Sequence, residues 1–375
     1  MPSTALRKQL MGNVHNLVVK VGTAVLTGSD GQLNHRLIAR LSGQIARLNE
    51  RGVKVTLVSS GAIGAGMRRA GLASRPRSIP MLQATAAVGQ PLLMSLYQKT
   101  LAKYDLHVGQ ILVTRADFEQ RSRYVKISNT IAALHRLHAI PIINENDTVA
   151  VDEIDRFADN DTIAAMVTNL LKADLMVILT VVDGLLDGDG RLVDLVSSVD
   201  QQVRDMVRAE KSTLGSGGMR SKLGAVKMVT DAGEGAVIAG GRAPNVLLRL
   251  LDGERVGTIF APSTRRLSAR QRWISQAVRP TGSLMLDAGA AEAVRNNGKS
   301  LLARGIIDVE GTFERGAIVR VTDPHGQTIA HGVSNYSRGE LDKIKGLKSS
   351  EISAVLGRQA FDEAVHRDNM VLAIG

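Results

Sequence analysis

The chain is predicted to be an α/β protein, with a mostly parallel sheet covered on both faces by helices and a smaller, mainly β domain after it. Two observations carry this expectation. Short apolar runs without alternation recur between longer amphipathic stretches, as buried parallel strands joined by crossover helices do. After about residue 262 the pattern changes to short β-like pieces separated by turn signals. A length of 375 residues also makes two domains the default.

The candidate strands cover residues 17–21, 53–58, 108–113, 140–143, 175–179 and 236–239, with amphipathic segments at 33–51, 82–104, 122–138 and 161–172. Ligands of such open sheets sit beyond the carboxyl ends of the strands. Polar residues gather there: Lys20 near the end of the first run, Ser59-Ser60-Gly61 after the second, Asn144-Glu145-Asn146-Asp147 after the fourth and Thr180 after the fifth. Further β pieces are expected at 283–286, 318–321 and 328–333. The boundaries are accordingly set at 1–262 for the first domain, 263–282 for a connector rich in Arg, Ser and Pro, and 283–375 for the second domain.

Composition narrows the function classes. The 44% hydrophobic and 22% charged residues are an ordinary globular balance. With no cysteine there is neither a disulfide framework nor a thiolate zinc site, which suits a reducing compartment. No apolar run approaches the roughly 20 residues of a membrane helix, and the N-terminus lacks a signal-like apolar core. A cytoplasmic protein is expected. The net charge of +11 is uneven: residues 242–282 carry eight Arg and two acids, whereas 283–375 carry 11 basic and 12 acidic residues. The basic connector reads either as an anion-attracting seam or as a solvated segment. RNA binding by the C-terminal domain is a rival reading, disfavoured by that domain's charge and by an aromatic content of only 3%.

Glycine-rich pieces point to phosphate. Gly61, Gly64 and Gly66 follow a strand and open a helix, although not in the dinucleotide-binding order, and no Walker A motif occurs. Gly215-Ser216-Gly217-Gly218-Met219-Arg220-Ser221-Lys222 is more informative. Its glycines let backbone N–H groups approach an anion, and Lys222 adds positive charge one helical turn inside. A surface loop is its bland alternative. Between residues 144 and 161 lie Glu145, Asp147, Asp152, Glu153, Asp155, Asp159 and Asp161, with Asn146 and Asn160 among them. Such a run either faces solvent or holds Mg²⁺ through water, receives an amino group or orients lysines. The eight histidines show no metal-ligand spacing, and no G-x-S-x-G nucleophile motif is present, so no protein metal ligands are assigned.

Taken together, these pieces resemble the glutamate 5-kinases of the amino-acid kinase family. The resemblance runs from about Leu17 to Met370. It rests on Val-Val-Lys20-Val-Gly-Thr, Val-Ser-Ser60-Gly-Ala-Ile, Thr-Arg-Ala-Asp117, Asn-Glu-Asn-Asp147, Asp159-Asn160-Asp161 and Gly-Ser-Gly-Gly-Met219-Arg-Ser-Lys222. The C-terminal Ala-Arg-Gly-Ile and Ile-Ala-His-Gly-Val-Ser resemble a PUA domain. The resemblance implies a three-layer αβα, doubly wound kinase domain that uses ATP with Mg²⁺ to make γ-glutamyl phosphate. It also implies a homo-oligomer, dimer or tetramer, inhibited by proline. By motif, Lys20 and Lys222 would bracket the transferring phosphoryl group and Asp159 would hold those lysines. Ser60, Asp147 and Asn160 would bind glutamate, with Asp161 supporting that pocket. Thr180, Val181, Ser216, Gly217, Gly218, Met219, Arg220 and Ser221, with both lysines, would face the nucleotide. The chain departs from the family pattern at Ala158, Val181, Leu186 and Arg220-Ser221, chiefly on the nucleotide side.

The chemistry agrees with the residue types. A glutamate side chain, with a reference pKa near roughly 4.3, is already an anion at neutral pH and needs no general base. What the reaction lacks is compensation for two approaching anions, which lysines and a metal supply.

Overall fold

The computed structural model describes residues 3–28, 32–149, 160–208, 218–264, 267–276, 280–358 and 361–373. The chain forms two compact units, residues 1–266 and 267–375. Among the described residues no helix is long and apolar enough to cross a membrane.

The strands of the first unit are β1 (Asn16–Val21), β2 (Lys54–Ser59), β3 (His107–Val113), β4 (Ala139–Glu145), β5 (Leu175–Thr180), β6 (Leu195–Val196), β7 (Gly235–Gly240) and β8 (Thr258–Phe260). They make one sheet in the order β3-β4-β2-β1-β5-β7-β8-β6. All pairs from β3 across to β7 are parallel, and β8 turns antiparallel to β7. Every residue of β5 and β7 is buried, which is why their sequences are continuous apolar runs. β3 forms one edge and is half exposed.

One face of the sheet packs Val19, Val21, Val55 and Leu57 against Leu37, Leu41, Ile45 and Leu93 of the helices His35–Glu50 and Ile79–Leu101. Asn34 starts the first of these helices by accepting the N–H of Leu37. The helix Ala62–Arg69 crosses Ile79–Leu101 at glycines: a Cβ on Gly66 would lie 1.8 Å from Thr85 O, and one on Gly89 1.8 Å from Ala62 O. The helices Asn160–Leu171 and Met219–Ala232 also bury apolar side chains, among them Ile163, Met166, Val226 and Val229.

The second unit is built on β9 (Gly282–Leu286), β10 (Ile306–Gly311), β11 (Ile318–Thr322), β12 (Thr328–Val333) and β13 (Met370–Leu372), in the order β10-β9-β11-β12-β13. Neighbours are antiparallel except β9 and β11. Its core gathers Leu284, Val319, Val321, Ala330 and Tyr336 with Leu341 and Ile352 from two helices. The segment expected as a connector, 263–282, contains a helix, Ala269–Gln276, that belongs to this unit. Trp273 and Ile274 are buried, and Arg272 is buried with them, its Nε donating to Leu267 O at 2.9 Å. Arg265, Arg266 and Arg279 lie outside the described residues.

Candidate active site

The polar residues flagged at strand ends converge at the carboxyl edge of β1, β2 and β4. Lys20 is the fifth residue of β1, and Ser60 follows β2 directly. The turn after Ser60 is made by Gly61 at φ +109°, a left-handed conformation that favours glycine, and it starts the helix Ala62–Arg69. Asn144 and Glu145 end β4. Asn160 and Asp161 begin the helix Asn160–Leu171, and Lys222 stands in the first turn of Met219–Ala232.

Asp161 is the hub. Its Oδ1 lies 2.6 Å from Lys20 Nζ, its Oδ2 lies 3.2 Å from Lys222 Nζ, and Ser221 Oγ donates to the same Oδ2 at 3.0 Å. All three charged groups are buried: 0% exposure for Asp161, 6% for Lys20 and 7% for Lys222. Burial alone raises the Asp161 carboxyl. The positive charges of Lys20 and then Lys222, with their hydrogen bonds, outweigh it and hold the group below the usual carboxylate range. The motif reading gave this lysine-holding task to Asp159, which lies outside the described residues. Among the described residues the carboxylate between the lysines is Asp161.

Beside this bridge is a chain of amides. Asn160 Nδ2 donates to Ser60 Oγ at 2.8 Å and to Asn144 Oδ1 at 3.0 Å. Asn144 Nδ2 donates to Gln90 Oε1 at 2.9 Å, and the Glu145 N–H donates to Asn144 Oδ1. Asn160 Oδ1 is a buried acceptor without a protein partner among the described residues. Asp147 is half-buried in the turn after β4 and lines a cavity of about 190 Å³ with Gln90, Gln110 and Glu145. Neither Gln90 nor the role of Asn144 was legible as a site feature. Gln90 sits in an apolar helical stretch and carries no motif signal.

On the other flank, Thr180 ends β5 almost fully buried, and its carbonyl accepts the N–H of Gly241 at 2.8 Å. Val181 beyond it is 42% exposed. Gly218 is the N-cap of Met219–Ala232 and contributes no side-chain cap to the first-turn N–H groups. Met219 and Ser221 are half-buried there and Arg220 is exposed, while Ser216 and Gly217 lie outside the described residues. Among the described residues two ammonium groups meet one carboxylate here, an arrangement that suits a polyanion.

Comparison with known proteins agrees with the geometry. Residues 16–240 match the amino acid kinase family, and residues 282–356 match the PUA domain. The chain is 44% identical to a glutamate 5-kinase of Citrifermentans bemidjiense, over 98% of this chain and 100% of that protein. It is 43% identical to glutamate 5-kinases of a Geobacter species (98% and 100% covered) and of Dehalococcoides mccartyi (95% and 98%). With two buried lysines bridged at a sheet's carboxyl edge and relatives matched end to end, the chain belongs to the glutamate 5-kinases of the amino acid kinase family, with a PUA domain at its C-terminus.

Proposed function

We propose that the chain transfers the γ-phosphoryl group of ATP to the side-chain carboxylate of L-glutamate, forming γ-glutamyl phosphate for proline synthesis. The observation that carries this reading is the buried Lys20–Asp161–Lys222 bridge beside the Ser60–Asn160–Asn144 amides. The names of the relatives support the substrate.

On this reading the nucleophile is the ionised carboxylate of glutamate, so no side chain has to remove a proton. Lys20 and Lys222 neutralise the phosphoryl oxygens as the attacking and leaving groups approach in line. Asp161 keeps the two ammonium groups apart and aimed, a fixed arrangement that needs no reorganisation during transfer. Ser60, Asn160 and Asp147 hold the amino acid, with Asp147 offering charge to the α-ammonium group. Thr180, Val181 and the loop from Ser216 to Lys222 face the nucleotide. Mg²⁺ would travel on the nucleotide's phosphate oxygens and reduce their charge, since Asp161 is engaged by both lysines. The enzyme works in the cytoplasm as a homo-oligomer, and proline, the end product, restrains it.

The test is ATP-dependent hydroxamate formation, with hydroxylamine trapping the acyl phosphate, for L-glutamate, L-aspartate and N-acetyl-L-glutamate. A glutamate-selective signal that decreases with added proline is expected. Folded protein giving no signal, or giving an equal signal with N-acetylglutamate, would overturn the assignment.

A further inference from the structure

Gln90 lies in the helix Ile79–Leu101, next to Pro91, and is 8% exposed. Its two amide ends have different fates. Oε1 accepts from Asn144 Nδ2 at 2.9 Å, whereas Nε2 is buried without a partner among the described residues. The next links are directional as well. The backbone N–H of Glu145 can only donate, so Asn144 must present its oxygen there, at 2.9 Å. The same oxygen receives Asn160 Nδ2 at 3.0 Å, and Asn160 Nδ2 also meets Ser60 Oγ at 2.8 Å. Asn144 Nδ2 is thereby left facing Gln90, and only an acceptor satisfies it.

Gln90 is therefore polar for the sake of one bond. Its Nε2 has no protein partner among the described residues, on a helix that also buries Thr85, Ala86, Gly89 and Leu93 and beside the cavity lined by Gln110, Glu145 and Asp147. A buried donor without a partner is unfavourable. A side chain of the same length without polar atoms would remove the Nε2 donor but leave Asn144 Nδ2 without its acceptor, so the two effects on stability offset. The bond it does make holds Asn144, and through Asn144 the amide of Asn160 and the hydroxyl of Ser60.

We propose that Gln90 is a positioning residue for the carboxylate substrate, acting through Asn144 to fix the Asn160 amide that the substrate meets. This rests on the reading of Ser60 and Asn160 as the glutamate-side residues.

The experiment is steady-state hydroxamate kinetics on full-length Gln90→Met, Asn144→Ala and the double variant, with thermal unfolding of each. Gln90→Met exchanges one orphan donor for another, so its thermal midpoint stays close to wild type. KM for glutamate rises about tenfold while KM for ATP is unchanged. In the Asn144→Ala background the Gln90 substitution adds nothing further, since its partner is already gone. A glutamate KM within about twofold of wild type, an equal rise in KM for ATP, or an independent effect in the double variant overturns the proposal. Gln90→Leu removes the same acceptor with a different shape and takes the place of Gln90→Met if that variant does not fold. Wild-type protein inactive on glutamate would instead sink the glutamate reading, and this proposal with it.

Discussion

Asp161 Oδ1 meets Lys20 Nζ at 2.6 Å, and the other oxygen of the same carboxylate meets Lys222 on a separate helix. A buried charge is costly to desolvate, and removing one partner of a buried pair leaves the rest uncompensated. Asp161→Asn leaves two buried ammonium groups without their anion. Stability should fall by about 3 kcal/mol or more, and kcat should fall with it. Urea denaturation alongside turnover checks this; a variant with wild-type unfolding midpoint and turnover would remove Asp161 from the centre of the site.

Acid should weaken the fold in two separable windows. His135, half-buried with Nε2 3.1 Å from Thr56 Oγ1, is pushed down to about 4 by burial and by the charge of Lys54. Its folded value lies below the unfolded 6.5, so the unfolded chain binds more protons between them. The contribution of His135 is whole above pH 6.5 and is lost as pH falls toward 4. Asp161, also depressed, acts lower: its contribution is present above the unfolded carboxylate value near roughly 3.9 and is lost as pH falls through its folded value. In His135→Gln the decline from pH 6.5 to 4 should flatten by about 1 kcal/mol after solvent screening. An unchanged slope of stability against pH would contradict the assignment.

Glycines on the helices differ sharply in what they tolerate. Gly89→Ala places a methyl 1.8 Å from Ala62 O and must push Ala62–Arg69 off its neighbour. A loss of about 2 kcal/mol or more is expected, with a reduced kcat/KM for glutamate because that helix carries the Ser60-Gly61 turn. Gly224, exposed in the interior of Met219–Ala232, has nothing within 4 Å of an added Cβ. Gly224→Ala should stabilise by about 0.5–1 kcal/mol. Thermal unfolding of the two variants should move in opposite directions.

In the second unit, Glu340 closes a capping box with Ser337 and accepts from Arg315 and Arg358. Glu340→Gln keeps the shape but removes the charge these donors meet. A destabilisation of about 1 kcal/mol in chemical denaturation is expected. No change would mean that solvent already screens this network.

Much of this architecture was legible in the sequence, and the gaps have physical causes. β1, β2, β4, β5 and β7 read clearly because burial on both faces forces continuous apolar runs, and β3, half exposed at the edge, was expected from its apolar residues at 108–113. β6 and β8 span two and three residues, too few for a period. β10 alternates imperfectly, Ile-Ile-Asp-Val-Glu-Gly, because four of its six residues are exposed. The helix Ala269–Gln276 was obscured by arginines, yet Trp273 and Ile274 anchor it. At the site, Lys20 and Ser60 stood out as polar residues where an open sheet keeps its chemistry, and Lys222 as the cation that follows a glycine-rich loop. The motif gave Asp159 the lysines and Asp161 the glutamate pocket; the helix beginning at Asn160 puts Asp161 in its first turn, against both lysines, while Asp159 lies outside the described residues. Gln90 shows its purpose only through a contact with Asn144, far away in sequence.

The central claim is that the lysines bridged by Asp161 stabilise the transferring phosphoryl group, and the turnover of Lys222→Ala tests it most directly. With saturating ATP and glutamate, kcat should fall by about 100-fold or more while KM for glutamate changes little. A folded Lys222→Ala enzyme with near-wild-type kcat would contradict the account.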